Sequence, residues 1–138
     1  MRLFLDANVL FTAAYSGEGR SAALCRLAQH GRCTLLASPH TIEEARRNLT
    51  LKAPEAMPRF QQLIDLAQVV PEADLRLVAR AADLGLPPND APILAAAVAC
   101  GADLLVTGDR THFGHLFGTE IGRVTVVTPA EALARVTG

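Results

Sequence analysis

Acidic residues stand at four widely separated points in the chain, each at a similar place in a repeating pattern of strands and helices. They are Asp6, the pair Glu43 and Glu44, Asp90, and Asp109. Carboxylates that meet at one point repel one another unless a cation holds them together. Their oxygens suit Mg²⁺ or Mn²⁺, ions that activate a bound water for phosphoester hydrolysis. If the fold gathers these acids, they predict a metal-dependent hydrolase.

The apolar pattern predicts short strands alternating with amphipathic helices, which is typical of a parallel sheet covered by helices on both faces. Predicted strands cover Arg2–Leu5, Cys33–Ala37, Gln68–Val70, Leu104–Thr107 and Arg123–Val127. Predicted helices cover Gly19–His30, Pro39–Leu51, Pro54–Ala67, Ala73–Leu84, Asp90–Cys100 and Pro129–Val136. The 138 residues, half of them apolar, are enough for one core, so we expect a single domain over residues 1–138.

Local signals predict several helix ends. Ser38 followed by Pro39 offers a side-chain cap and a proline in the first turn, and Thr128 followed by Pro129 repeats this signal. Gly31 suits the left-handed residue that ends the preceding helix.

Strand and helix directions predict that the acids converge. A crossover helix runs antiparallel to the strands, so it begins at the sheet edge where the strands end. Asp6 follows the first strand, Asp109 follows the fourth, and Asp90 opens the helix that leads into the fourth. Glu43 and Glu44 lie about one turn into the helix after the second strand. If the first and fourth strands are neighbours, the acids surround a topological switch point, where such sheets bind ligands.

Each acid also has a purely local explanation. Asp6 and Asp90 suit helix caps, and Asp109 suits the polar position of a Gly-Asp turn. Glu44 could close a capping box that begins at Thr41, although we expect the helix to begin before that threonine and leave Glu44 free. Independent caps have no reason to converge on one point, so the joint arrangement favours a site.

Three segments resemble the PIN-domain family, in order, through nearly the whole chain: MRLFLDANVL, SPHTIEEARRNL, and PPNDAPILAAAVACGADLLVTGD with the RTHF that follows it. PIN domains are metal-dependent ribonucleases. The resemblance therefore implies a three-layer α/β/α sandwich with five parallel strands in the order 3-2-1-4-5, and RNA cleavage with one or two Mg²⁺ or Mn²⁺ ions. Many small bacterial members are VapC-type toxins of toxin-antitoxin pairs and are often dimeric, which implies an antitoxin protein and a homodimer as candidate partners.

The resemblance also assigns site residues. The family's catalytic and metal-binding acids fall on Asp6, Glu44, Asp90 and Asp109. Glu44 is preferred to Glu43 because Ala45, which follows it, suits a position packed on the sheet, and Glu43 stays open as the alternative. Asn8 and Thr107 look like the polar residues that form hydrogen bonds within the pocket.

Other candidate residues carry weaker signals. Asp103 precedes the fourth strand and belongs at the opposite sheet edge. His112 and His115 have no cysteine or third histidine nearby, so their sequence context favours loop or surface roles. Arg110 suits a contact with an RNA phosphate.

Composition excludes several functional classes. The net charge of −1 gives no overall attraction to nucleic acid, so a site for RNA must be local. Cys25, Cys33 and Cys100 form no CxxC pair, which indicates neither a disulfide framework nor a zinc site. No apolar stretch reaches the roughly 20 residues of a membrane span. We therefore expect a cytoplasmic protein that does not act at a membrane.

Two other enzyme classes fit the opening strand less well. A haloacid-dehalogenase-like phosphatase needs a second acid two residues after the first, where this chain has Asn8. A dinucleotide-binding domain needs a glycine-rich turn, and Ala7-Asn8-Val9 has no glycine. The stronger alternative is a PIN scaffold that binds RNA or protein with weak or absent catalysis. The intact acids favour the enzyme, because a scaffold has no need for mutually repelling charges.

Overall fold

The computed structural model describes all 138 residues and contains six strands and eight α-helices. The strands are β1 (Arg2–Leu5), β2 (Thr34–Ala37), β3 (Gln68–Val69), β4 (Leu104–Val106), β5 (Glu120–Ile121) and β6 (Val124–Val127). The helices are α1 (Ala7–Tyr15), α2 (Arg20–Gln29), α3 (Pro39–Lys52), α4 (Met57–Leu66), α5 (Leu75–Ala82), α6 (Ala91–Ala99), α7 (Arg110–Phe113) and α8 (Pro129–Thr137). Single 3₁₀ turns cover Pro54–Ala56 and Gly114–Leu116.

The strands form one sheet in the order β3-β2-β1-β4-β6-β5. All neighbours in this order are parallel except β5, which pairs antiparallel with β6. The predicted order of five parallel strands is confirmed, with β6 in the fifth place. The sixth strand, β5, was not predicted, because two residues that include a charged glutamate carry no strand periodicity.

The sheet separates two layers of apolar side chains. Because successive residues of a strand point to opposite faces, Leu3 and Leu5 of β1 pack on one side and Phe4 packs on the other. The first side buries Leu3 and Leu5 with residues of α1, α3 and α4, among them Leu10 and Phe60. The second side buries Phe4 with residues of α5 and α6. The α/β/α sandwich is therefore confirmed.

Two helices lie where the sequence predicted none. The first, α1, starts directly after β1 with no linker and buries Val9, Leu10 and Ala14. The second, α7, is one turn long and follows Asp109. The four residues of α7 are too few for a helical period to stand out, whereas α1 is apolar except at Asn8 and Thr12, so no polar face marks it in the sequence. Tertiary packing stabilises helices of this length. The predicted helix over Pro54–Ala67 is also divided, because a 3₁₀ turn precedes α4.

The predicted helix ends are confirmed. The Ser38 side chain accepts a hydrogen bond from Thr41 N, and Thr41 Oγ1 accepts one from Ser38 N, so α3 begins with a reciprocal capping box. Thr41 is thus the third residue of the box and not its cap, so Glu44 is not needed to close it. Thr128 caps α8 in the same way, and Gly31 has the left-handed φ of 73° expected of a helix end. None of the helices is both long and apolar enough to cross a membrane.

The α3 cap gives a stability prediction. Ser38 is fully buried, so Ser38→Ala leaves the amide of Thr41 without its side-chain acceptor. We expect the free energy of unfolding to fall by about 1–2 kcal/mol, measured by urea denaturation. The control is Thr50→Ala, an exposed position in the same helix. Equal unfolding midpoints for the two variants would show that the cap does not stabilise α3.

Candidate active site

Three of the predicted acids stand immediately before helices at the edge where the parallel strands end. Asp6 precedes α1, Asp90 precedes α6, and Asp109 precedes α7. Strands β1 and β4 are hydrogen-bonded neighbours, with Leu5 opposite Val106. The ends of these two strands and the start of α6 therefore meet at one point, as the strand directions predict.

All four predicted acids line one cavity of about 370 Å³. It is lined by Asp6, Asn8, Phe11, Thr12, Glu44, Asn48, Lys52, Asn89, Asp90, Asp109 and His112, and we call it the acidic cavity. Glu43 does not line it: the Glu43 side chain is 64 % exposed and lies 3.7 Å from Arg46. Consecutive helical residues point about 100° apart, which is why only one of the two glutamates faces the cavity.

Asp6 is the most buried of the four acids, with 3 % of its surface exposed. Its Oδ2 accepts hydrogen bonds from Thr107 Oγ1 at 2.7 Å and from Asn8 Nδ2 at 3.0 Å. Its Oδ1 accepts one from Ala7 N at 2.7 Å. Burial raises the pKa of Asp6 to about 6, although the bonds from Thr107 and Ala7 favour the charged form. The charge of Asp90 adds to the increase.

The predicted supporting residues Asn8 and Thr107 join the ends of β1 and β4. Asn8 Oδ1 accepts a hydrogen bond from Gly108 N at 2.8 Å. Thr107 Oγ1 accepts one from Asp109 N at 3.1 Å while it donates to Asp6. These contacts hold Asp6 and the backbone of Asp109 in one network, so the two acids keep a defined relative position.

Asp90 occupies the position of a helix cap without acting as one. Its side chain makes no capping hydrogen bond to α6, so the purely local explanation of this residue is wrong. Burial raises the pKa of Asp90, the nearby His112 lowers it, and the charges of Asp109 and Glu44 raise it. Asp109 does cap: its Oδ1 accepts a hydrogen bond from His112 N at 3.0 Å, and its Oδ2 lies 2.8 Å from His112 Nδ1.

His112, for which the sequence context favoured a loop or surface role, is exposed and also lines the acidic cavity. Its Nδ1 lies 3.0 Å from Asp90 Oδ2 and 2.8 Å from Asp109 Oδ2. Ligand atoms of these three residues all lie within 4.8 Å of one another. A histidine three residues after a helix-capping aspartate is a sequence signal for this contact. His115 lies elsewhere, with Nε2 2.7 Å from Leu84 O.

Sequence reasoning also missed three polar residues of the acidic cavity. Asn89 Nδ2 donates a 2.6 Å hydrogen bond to Glu44 Oε1 and so orients that carboxylate. Asn48 and Lys52 follow Glu44 at intervals of four residues, which places all three on one face of α3. That spacing was visible in the sequence. Lys52, whose Nζ lies 5.9 Å from the Phe11 ring centroid, brings a positive charge to this wall.

The donor set of the acidic cavity fits a hard divalent cation. Four carboxylates from four chain segments meet in a cavity with a single apolar lining residue. Oxygen ligands of this kind suit Mg²⁺ and Mn²⁺, and Mn²⁺ also accepts an imidazole nitrogen such as that of His112. Burial raises the pKa of both Asp6 and Asp90, so their charged forms are less favourable in the cavity than in water.

Comparison with known proteins places the chain beside PIN domains. The sequence matches the family described as PIN domain over residues 2–111. The fold resembles that of PAE2754 from Pyrobaculum aerophilum, with a TM-score of 0.71 and 22% identity over 99% of this chain and 96% of that one. It also resembles VapBC2 from Rickettsia felis, solved with a DNA fragment from its promoter. The TM-score is 0.67 and the identity 17%, over 93% of this chain and 98% of that one. No curated protein matches the sequence.

A third solved structure is VapC20 from Mycobacterium tuberculosis, described as a toxin that cleaves the sarcin-ricin loop. The TM-score is 0.58 and the identity 15%, over 79% of this chain and 91% of that one. At these identities the structural likenesses show a shared fold.

The raised pKa of Asp6 predicts a pH dependence of stability in metal-free protein. The folded state favours protonated Asp6, with a pKa of about 6, more than the unfolded chain does, where it is about 3.9. This contribution is fully present below the unfolded pKa and is lost as the pH rises through about 6. We expect the free energy of unfolding of the native protein, relative to Asp6→Asn, to fall by about 1–3 kcal/mol between pH 4 and 7.5.

Urea denaturation in chelator measures this difference, and exposed Asp65 supplies a reference variant, Asp65→Asn. If the free energy of unfolding of the native protein differs from that of Asp6→Asn by the same amount at every pH, the assignment of the raised pKa to Asp6 is wrong.

Proposed function

Because this chain belongs to the PIN-domain family, we propose that it is a metal-dependent ribonuclease that hydrolyses phosphodiester bonds of RNA. The observation that carries the proposal is the meeting of Asp6, Glu44, Asp90 and Asp109 in one cavity at the carboxyl edge of the sheet. These acids come from four distant parts of the chain. Local capping explains the position of some of them, but it does not explain their convergence.

The four carboxylates hold one or two divalent cations in this proposal. When bound, Mg²⁺ or Mn²⁺ supplies an activated water and neutralises negative charge that develops on the phosphate. Thr107 and Asn8 orient the Asp6 carboxylate, and Asn89 orients that of Glu44. No covalent nucleophile from the protein is required.

His112 and Lys52 have different roles in the proposed site. His112 Nδ1 is within hydrogen-bond distance of both Asp90 and Asp109, so it keeps these two carboxylates turned toward each other. Lys52 lines the same cavity from the end of α3 and offers its ammonium group to a phosphate of the substrate.

The alternative is a PIN scaffold that binds RNA or protein with little catalysis. The burial of Asp6 weighs against it. A carboxylate that is 97% inaccessible and has a pKa raised to about 6 is unfavourable at neutral pH, and a scaffold gains nothing from it. A cation compensates for this cost, so the enzyme is the better explanation of the same residues.

We also propose that the chain acts as one catalytic domain over residues 1–138 and as the toxin of a toxin-antitoxin pair. Likeness to VapC20, described as a toxin, supports this role.

The toxin role implies two protein partners, a small antitoxin protein and a second copy of the chain. An apolar hollow of about 280 Å³ between α5, α6 and β5, lined by Leu77, Leu84, Val98 and Ile121, offers surface for the second copy. An RNA substrate places the proposed activity in the cytoplasm.

The nuclease proposal predicts metal-dependent cutting of RNA. The native chain, Asp6→Asn and Asp90→Asn are incubated with structured and single-stranded RNA in Mg²⁺, Mn²⁺ or chelator, and a sarcin-ricin loop hairpin is included. We expect cleavage with a divalent ion only. Each substitution should lower kcat/KM by more than about 100-fold, since even outer partners of metal ligands cost roughly 10–100-fold.

Adjacent glutamates provide the matched control for this assay. Glu44→Gln removes a carboxylate from the acidic cavity, whereas Glu43→Gln removes the same charge from the exposed neighbour. We expect strong loss of activity only for Glu44→Gln. Cutting that persists in chelator, or that survives the aspartate substitutions in correctly folded protein, would indicate a contaminating nuclease. No cutting with either ion would support the scaffold.

The toxin proposal predicts an effect on growth. Induced expression of the native chain in a bacterial host should stop growth, and Asp6→Asn at an equal protein level should not, because it removes a proposed metal ligand. Growth curves with immunoblots measure both quantities. Unimpaired growth with the native chain, while the purified protein still cuts RNA, would indicate a nuclease with a role other than growth arrest.

A further inference from the structure

A second polar cavity, of about 450 Å³, lies beside the acidic cavity. It is formed by the starts of α2 and α8 and by the segment that follows β4, and we call it the arginine cavity because Arg20 and Arg110 line it. Thr12 lines both cavities, and Arg110 directly follows Asp109 in the chain. The two cavities are therefore adjacent.

The charged residues that line the arginine cavity are both positive. No acidic residue lines it. Neither Arg20 nor Arg110 forms an ion pair, whereas Arg46 and Arg135 elsewhere on the surface pair with nearby glutamates. Both arginine side chains are free of hydrogen bonds to the protein and exposed. In a chain of net charge −1, this is a local site for an anion.

Backbone amides add donors to the same cavity. Gly19, which precedes α2, has a φ of 94° and no side chain to cap the helix, so the amides of Arg20 and Ser21 have no acceptor. The first backbone hydrogen bond of this ten-residue helix comes from Ala23 N. At the start of α8, Thr128 Oγ1 accepts from Glu131 N, Thr128 O accepts from Ala132 N, and Pro129 has no amide hydrogen, so the amide of Ala130 is the one left unpaired. Unpaired amides and the positive ends of helix dipoles favour anions.

Ser21 gives an independent indication of a ligand. It is only 5 % exposed and lines the arginine cavity. Its hydroxyl has no hydrogen bond to any protein group, and it is not among the side-chain atoms sealed from solvent. A serine that is this buried usually has a partner for its hydroxyl within the protein; the Ser21 hydroxyl has none, so its hydrogen bond is open to a molecule that occupies the cavity which the residue lines.

We propose that the arginine cavity binds a backbone phosphate of the RNA, next to the nucleotide whose phosphodiester lies at the acidic cavity. Arginine guanidinium groups and helix N-termini are matched to the oxygens of a phosphate. RNA as the source of that phosphate rests on the proposed ribonuclease function. Contacts of this kind carry no sequence information, so the arginine cavity sets the direction and register of the strand across the acids.

Binding of RNA in the absence of metal tests the proposal independently of catalysis. Fluorescence anisotropy with a labelled single-stranded RNA in chelator compares the native chain with the double variant Arg20→Gln/Arg110→Gln. The control Arg32→Gln/Arg123→Gln removes the same charge from exposed residues just before β2 and β6, at the opposite sheet edge. We expect roughly tenfold weaker binding for the first variant beyond any effect of the control. In a plot of the logarithm of the RNA-binding constant against the logarithm of the salt concentration, the slope should become less steep by about 0.7 for each lost phosphate contact.

Ser21 allows a sharper test, because a negative charge at this position should have opposite effects on the stability of the fold and on RNA binding. Aspartate in the first turn of a helix is favourable to the helix dipole, yet in the arginine cavity it repels a phosphate. Ser21→Asp should therefore keep the melting temperature at or above that of the neutral, nearly isosteric Ser21→Asn, and should bind RNA about tenfold more weakly than that variant. If the variant with the higher melting temperature is also the one that binds RNA more tightly, RNA affinity reflects stability alone and the proposed role of Ser21 is wrong.

Different results would contradict the ribonuclease function and the phosphate site at the arginine cavity. If the native chain cuts RNA and the Arg20/Arg110 double variant binds and cuts like its control, the phosphate site is wrong and the nuclease stands. If the native chain cuts no RNA but the double variant alone loses affinity, the ribonuclease proposal is wrong and the arginine cavity stands as an RNA-binding site.

Discussion

The constraint on which the site depends is the burial of the Asp6 carboxylate between the ends of two parallel strands. A charge in that position is unfavourable, and burial raises the pKa of Asp6 to about 6. Hydrogen bonds from Thr107 and Ala7 reduce the cost, and the one from Thr107 depends on the pairing of β1 with β4. Placing Asp6 therefore requires the sheet order, and the sheet order brings Asp90 and Asp109 to the same edge.

The same edge carries charge of both signs in adjacent cavities. Carboxylates gather at the ends of β1 and β4, while Arg20 and Arg110 stand just beyond Asp109. Helix starts explain the coexistence, because each one presents unpaired amides that attract anions and each has a capping position that favours aspartate. A nearly neutral chain thereby presents local charge of both signs at one edge of its sheet, as the proposed cation and phosphate sites require.

Much of the architecture was predictable because it is encoded in local patterns. The first strand, the cap at Ser38 and the left-handed end at Gly31 follow from hydrophobic period and residue type alone. The convergence of the acids was also predictable, since strand direction determines which ends of the elements meet. The helix α1 was not predicted because its residues are apolar except at Asn8 and Thr12, so no polar face marks it. The strand β5 was not predicted because two residues carry no period.

The sequence by itself determined the parallel sheet, the edge that carries the acids and the residue types that meet there. Only the tertiary structure decided which side chains face the acidic cavity. Helical rotation turns Glu44 inward and Glu43 outward, and Asp90 leaves its capping bond unmade in favour of His112. Such choices depend on contacts between residues far apart in the chain. Spacing along one element brings a residue near the site, but the direction of its side chain is set by what packs against it.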